Sequence, residues 1–341
     1  VRKLLSAAAA AFSAYSAFIA LSYAAITPAT ASAAEPAPLV KIGYWTSGVS
    51  LGYGSVLEAK DFLAKRGVRA EFVHFPDVNA PLRALASGSI DLAFGAPVAG
   101  VFGTAASGVP IRIFAATQPA DVQFVVPKDS PIQSIRELKG KKVGMSPAGS
   151  SVAVIAGAVL AGNYQIKSSD FALVGGNESR LAQFLVQKQV DAAALRSVTV
   201  EQLGDELPVR KLGTFASEWK TLTQSDAVPY IGVGAARSDL VDNHPEVVAR
   251  VIAALRDTLA WGNANRNEVV QILQKKANLP ADDAKVYVSH WNDMNRVAFE
   301  PADIATLRRQ HAVFVESGLV KGDLKEDLFA RKPYEQAKAI K

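Results

Sequence analysis

The chain has 341 residues, 37 of them Lys or Arg and 32 Asp or Glu, for a net charge of +5, with 49% hydrophobic residues and no cysteine. This is an ordinary globular composition, long enough for two domains. The missing cysteines exclude a disulfide scaffold, a thiol nucleophile, iron–sulfur clusters and cysteine-ligated zinc. The histidines (His74, His244, His290, His311) have no metal-ligand spacing, so neither a metal nor a cofactor is expected.

Arg2 and Lys3 precede an uncharged run from Leu4 to Ile26, and Ala31-Ser32-Ala33 and Ser32-Ala33-Ala34 then offer small-residue cleavage sites. That order reads as a secretory signal over residues 1–33, cut after Ala33 or Ala34, with a retained anchor as the alternative. The serines at 6, 13, 16 and 22 favour cleavage by weakening the run's hydrophobicity. Cleavage after Ala33 removes Arg2 and Lys3 and lowers the charge to +3. With no basic cluster or stripe, no nucleic-acid partner is expected.

Beyond the signal, short apolar runs at 39–45, 70–75, 91–94 and 111–116 alternate with helical patterns at 53–66, 79–87 and 97–107. The alternation returns with runs at 142–145, 171–174 and 191–195 and helices at 150–162, 177–188 and 197–204. The second series is a degenerate repeat of the first, offset by about one hundred residues. Ile42 to Ser50 aligns with Val143 to Ser151, Phe72-Val73-His74 with Ala172-Leu173-Val174, and Ile90-Asp91-Leu92-Ala93 with Val190-Asp191-Ala192-Ala193. Strands alternating with helices, twice over, predict an α/β protein of two lobes with parallel strands and crossover helices.

After the apolar run from Tyr230 to Ala235 the chain is nearly all helix. Asn243-His244-Pro245-Glu246 marks a helix start, and further helices fit 266–277, 281–291 and 301–317. Val122 to Pro127 and Val228 to Val233 read as two antiparallel hinge strands. They divide the mature chain into lobe 1 (39–126 plus 228–341) and lobe 2 (127–227), built to close around a ligand.

In such sheets ligands sit beyond the carboxyl ends of the strands. In lobe 1 that rule selects Trp45, Thr46, Ser47, Ala96, Pro97, Thr117 and Gln118. In lobe 2 it selects Ser146, Gly149, Ser150, Ser151, Asn177 and Arg196. Ser150 and Ser151 open an apolar helix, where free amides and a positive dipole end suit an anion. Ser150 and Asn177 also suit helix capping, and Trp45 either stacks on a planar ligand or covers the core. Arg196 ends a small-residue strand, opposite Ala96 in the repeat. It either grips an oxyanion with two hydrogen bonds or pairs with an acid such as Glu201. Enzyme motifs fail on spacing: Gly144 to Ala148 lacks the last glycine of a nucleophile elbow, and Ser150 occupies the lysine position of a phosphate loop.

The mature chain resembles the substrate-binding proteins of ABC importers of the nitrate/taurine/aliphatic-sulfonate class. The stretches that carry the likeness are Ala84 to Asp91, Val126 to Ile132, Leu138 to Val143 and Phe184 to Ala192, in order within about 40–319. The resemblance implies the type II periplasmic binding protein fold, two Rossmann-like lobes joined by two hinge strands, with a helical C-terminal region. It also implies a periplasmic, monomeric, non-enzymatic protein that delivers a small anionic solute to a membrane permease. The segment Asp191 to Thr199 lacks the aromatic and proline that sulfonate- and taurine-binding members place there. A pyrimidine or thiamine-precursor binder of the same fold, or a secreted serine hydrolase using Ser146, are the alternatives.

Overall fold

A computed structural model describes residues 38–204 and 206–340; the expected signal segment lies outside them. Ten strands are present among the described residues: β1 (Leu39–Trp45), β2 (Arg69–Phe75), β3 (Leu92–Pro97), β4 (Ile111–Pro119), β5 (Val122–Pro127), β6 (Lys142–Met145), β7 (Ala172–Gly175), β8 (Ala192–Arg196), β9 (Val209–Thr214) and β10 (Tyr230–Arg237). They form two five-stranded sheets, ordered β2-β1-β3-β10-β4 and β7-β6-β8-β5-β9. In each sheet the first three members are parallel, and a returning strand pairs antiparallel beside them. This is the two-lobed α/β fold that the alternating pattern predicts.

The central strands are apolar throughout because helices cover both faces: β8 is buried at every position, and β3 and β10 at nearly every one. The repeated acid has a structural cause. Asp91 Oδ2 accepts the Lys41 amide at 2.9 Å, and Asp191 Oδ2 accepts the Lys142 amide at 2.8 Å. Each carboxylate therefore pins the first strand of its sheet to the third.

Val122 to Pro127 and Val228 to Val233, expected as a pair of hinge strands, do not pair with each other as strands. β5 lies inside the second sheet between β8 and β9, and β10 inside the first between β3 and β4. Residues 122–126 therefore go with the second sheet, contrary to the expected lobe boundary. The reason is long-range pairing: β5 completes the antiparallel side of the second sheet exactly as far from its parallel strands in order as β10 does in the first. The crossings between the sheets are joined where the Ala120 amide donates to Pro229 O at 2.8 Å.

The helix expected at 53–66 begins earlier, at Gly48–Ala59, and breaks at Asp61, whose φ of 52° is left-handed, before Phe62–Lys65. Among the C-terminal helices, Pro245–Ala264 and Arg331–Lys338 pack on β4 of the first sheet. Trp291 is fully buried and stacks on Tyr53 with centroids 5.6 Å apart, and the Tyr53 hydroxyl donates to Leu255 O. Strand β9, the Phe215–Thr223 helix and the Arg331–Lys338 helix were not anticipated.

Candidate functional site

At the carboxyl end of β1, Trp45 is buried and its Nε1–H donates to Pro76 O at 3.3 Å, while Thr46 Oγ1 donates to Phe75 O at 3.1 Å. Ser47 precedes the Gly48–Ala59 helix without capping it through its side chain. Gly48 needs its φ of +55°, and a Cβ there would stand 3.2 Å from the Trp45 ring and 3.7 Å from Glu178 Cγ. The first turn of this helix thus rests on a residue of the second sheet's layer.

At the end of β3, Gly95 adopts φ +68° and lies so close to its neighbours that a Cβ would meet Ser50 Oγ at 2.6 Å. That gap lets Gln118 Nε2 donate to Ser50 Oγ at 3.0 Å. Ala96 and Pro97 follow, and Pro97 leads into the Val98–Ala106 helix. Thr117 Oγ1 is buried without a hydrogen-bond partner among the described residues. It lines a cavity of about 10 Å³ with Tyr53, Phe94, Gln118 and Asn295, room for about one water molecule.

In the second sheet, β6 ends at the buried Ser146 region, and Gly149 at φ +83° turns the chain into the Ser151–Tyr164 helix. Ser150 Oγ accepts the Ala153 amide at 3.2 Å, so its hydroxyl caps its own helix. Ser151 Oγ accepts the Ala99 amide at 3.2 Å, which ties this helix to the first turn of the Val98–Ala106 helix. Asn79 Nδ2 donates to Ala148 O at 3.4 Å nearby. Asn177 Oδ1 accepts the Arg180 amide at 3.0 Å, again a cap.

Arg196 ends β8 and is only 5% exposed. Its acidic partner is Glu178, not Glu201: Arg196 Nε lies 3.6 Å from Glu178 Oε1, whereas Glu201 pairs with His290 Nε2 at 2.7 Å. Glu178 is 7% exposed and accepts from Thr199 Oγ1 at 2.8 Å and from the Arg196 amide at 3.4 Å. Burial pulls the Arg196 pKa down, opposed by the charges of Glu178 first and Asp121 second. A guanidinium keeps its proton under such conditions. Yet Arg196 Nε and Nη1 have no hydrogen-bond partner among the described residues. Asp121 Oδ1 accepts from the Ser197 hydroxyl, while its Oδ2 is equally unpartnered.

Tyr287 closes this cluster from the C-terminal helices. Its hydroxyl donates to Val49 O at 2.6 Å, and burial holds its pKa well above the usual phenol range against the pull of Arg196. The structure therefore gathers two groups of the expected residues. One is Ser150 and Ser151 against the start of the Val98–Ala106 helix; the other is Arg196 with Glu178, whose side chain stands near Gly48. Asn177 caps the helix that carries Glu178. Glu178, Asp121 and Tyr287 were missed. The only local signal for Glu178 was an acid in the first turn of a helix, which ordinarily reads as dipole compensation. Among the described residues His74, His244 and His290 face Glu58, Glu246 and Glu201, and His311 packs edge-on against Phe102.

The second sheet thus ends in a buried guanidinium, Arg196, two of whose nitrogens lack hydrogen-bond partners among the described residues. A family model described as "ABC transporter, phosphonate, periplasmic substrate-binding protein" matches residues 59–286, and the chain belongs to this family. A Brucella abortus protein described as "Putative binding protein" is 25% identical over 273 residues, 78% of this chain and 81% of the relative. The Escherichia coli "Putative aliphatic sulfonates-binding protein" is 25% identical over 316 residues, 88% of this chain and 91% of its own length.

Among solved structures, the alkanesulfonate-binding protein of Xanthomonas axonopodis pv. citri bound to MOPS superposes with TM-score 0.70 at 21% identity. It covers 87% of this chain and 98% of that one. The nitrate-binding protein of Synechocystis PCC 6803 gives 0.66 at 15% identity, covering 89% of both chains. The chain thus has the periplasmic binding protein fold of the ABC substrate-binding class that its motifs resemble.

Proposed function

We propose that this protein captures a small oxyanionic solute of the phosphonate or sulfonate class between its two sheets, in the periplasm, and presents it as a monomer to the permease of an ABC importer. The observation that carries this reading is Arg196: a buried guanidinium at a strand end, with Nε and Nη1 unpartnered. A buried donor without an acceptor is costly, and an oxyanion supplies acceptors in the paired geometry a guanidinium favours. The start of the Gly48–Ala59 helix, beside Glu178, adds the positive end of a helix dipole. Family membership and the solutes of the similar sulfonate-binding proteins support the same class.

In this reading the two lobes are residues up to about 120 with those from about 228 onward, and the segment between them. Entry and release bend the chain at the crossings joined by Ala120 and Pro229. The experiment is calorimetry against alkylphosphonates, alkylsulfonates, carboxylates and nitrate, with Arg196→Ala beside the wild type. A solute at one hundred times its Kd should add about 2.7 kcal/mol of stability. Arg196→Ala should then lose about ten- to a hundredfold in affinity, as expected of one charge-assisted contact. Undiminished affinity in a folded Arg196→Ala protein overturns the assignment.

A further inference from the structure

Arg196 does not offer its charge freely, because a carboxylate is already built against it. Resting on the oxyanion reading above, we infer that Glu178 is a specificity-determining residue that restricts the site to singly charged oxyanions. Glu178 Oε1 stands 3.6 Å from Arg196 Nε, and its other oxygen is fixed by Thr199 Oγ1 at 2.8 Å. Thr199 Oγ1 and the Arg196 amide, both bonded to that second oxygen, hold the carboxylate beside the guanidinium.

The charge balance follows from these positions. One buried guanidinium faces the carboxylates of Glu178 and Asp121, the latter with Oδ2 unpartnered. On its outer side Glu178 lines a crevice of about 450 Å³ whose other charged lining residues are Glu206 and Asp283, with no Lys or Arg among them. A monoanion meets a cation whose charge the two carboxylates already offset, but whose Nε and Nη1 are still free to donate. A dianion meets the same donors with twice the repulsion from the carboxylates, in a setting that screens charge poorly. Selection therefore falls on the second negative charge and not on the shape of the head group.

An alkylphosphonate tests this within one molecule, since phosphate-type groups lose a second proton at about pH 6, while a sulfonate stays singly charged. Calorimetry would compare methylphosphonate with methanesulfonate at about pH 5.5 and 8.5, the sulfonate controlling for titration of the protein. The wild type should bind methylphosphonate about tenfold more weakly at the higher pH, relative to methanesulfonate. Glu178→Gln, which keeps an acceptor for Thr199 and the Arg196 amide, should shrink that drop to the part Asp121 causes. A relative phosphonate affinity that holds or rises with pH in the wild type overturns the inference and leaves the oxyanion reading intact. Equal gains for both anions in Glu178→Gln overturn it likewise. Failure of the wild type to bind either anion at either pH removes both readings together.

Discussion

The two sheets are built to one plan and used differently. Both place the first strand between the second and third, both return an antiparallel strand beside the third, and both lock the first strand with an aspartate carboxylate to a lysine amide. They part at the strand ends. Where the first sheet has Ala96 and Pro97, the second has Arg196, buried against Glu178, and Ser197, which donates to Asp121. Strand pairing constrains the middle of each repeat, whereas the loops beyond it are free to diverge. The comparison teaches that scaffold and chemistry were separated within a single unit of sequence.

The C-terminal helices mark a second asymmetry, since Trp291 packs on the first sheet's aromatic group and has no counterpart in the repeat. Trp291→Ala should cost about 3–5 kcal/mol in urea unfolding, because a fully buried ring that stacks on Tyr53 leaves a large cavity. A loss below about 1 kcal/mol would mean that these helices are ornament to the first sheet and not part of its core.

The aspartate clamps sharpen the likeness. Asp91→Ala and Asp191→Ala should each cost about 1–2 kcal/mol, the loss of one charge-assisted bond to a backbone amide. Asp91 also stands 3.8 Å from Arg237 Nη1, so its removal should be slightly the worse of the two. The clamps belong to different sheets with no shared partner, and the double variant should be additive within about 0.5 kcal/mol. Strong coupling would break the picture of two independent copies.

A smaller, matched effect should appear in alkali. Tyr164, packed beside the second sheet, has its pKa raised to about 12 by burial and then by its bond to Glu218. Tyr230, in the first sheet, is raised to about 12 by burial and then by its bond to Asp303. Both phenols are protonated in folded and unfolded chains below pH 10, so their stabilising share is complete there. Above 10 the unfolded phenol ionises first, and the share is lost as pH rises toward about 12. Denaturant midpoints should fall over that window, and Tyr164→Phe and Tyr230→Phe should each flatten part of the fall. A fall in native phenolate absorbance at pH 10 on Tyr164→Phe or Tyr230→Phe would count against the assignment of that residue.

Much of the fold was legible in the amino-acid order because burial on both faces leaves a local mark. The runs that became β1, β3, β6 and β8 are short, apolar and spaced by helical patterns, and Pro245 opens the helix its neighbours announce. The repeat was legible too, since Asp91 and Asp191 hold their strands through bonds that recur at the same offset. Strand β9 left no such mark: Val209 to Thr214 mixes charged and apolar residues because it is a half-exposed edge beside β5. The place of β5 itself was decided by pairing with β8 and β9, partners about 70 to 90 residues away that no local pattern names.

The site divides in the same way. That Arg196 ends a buried strand could be read from Ala192 to Leu195, since small apolar residues in a row suit a strand covered on both faces. That Ser150 and Asn177 cap helices could be read from their position before apolar turns. What faces Arg196 could not be read. Glu178 lies 18 residues earlier, Asp121 another 57 before that, and Tyr287 comes from the far C-terminal helices. Sequence fixes which side chains carry charge and roughly which strand end holds them, through patterns a few residues long. Only the packing of two sheets and a helical segment decides which charges share a low-dielectric space, because that depends on contacts between segments with no common local pattern.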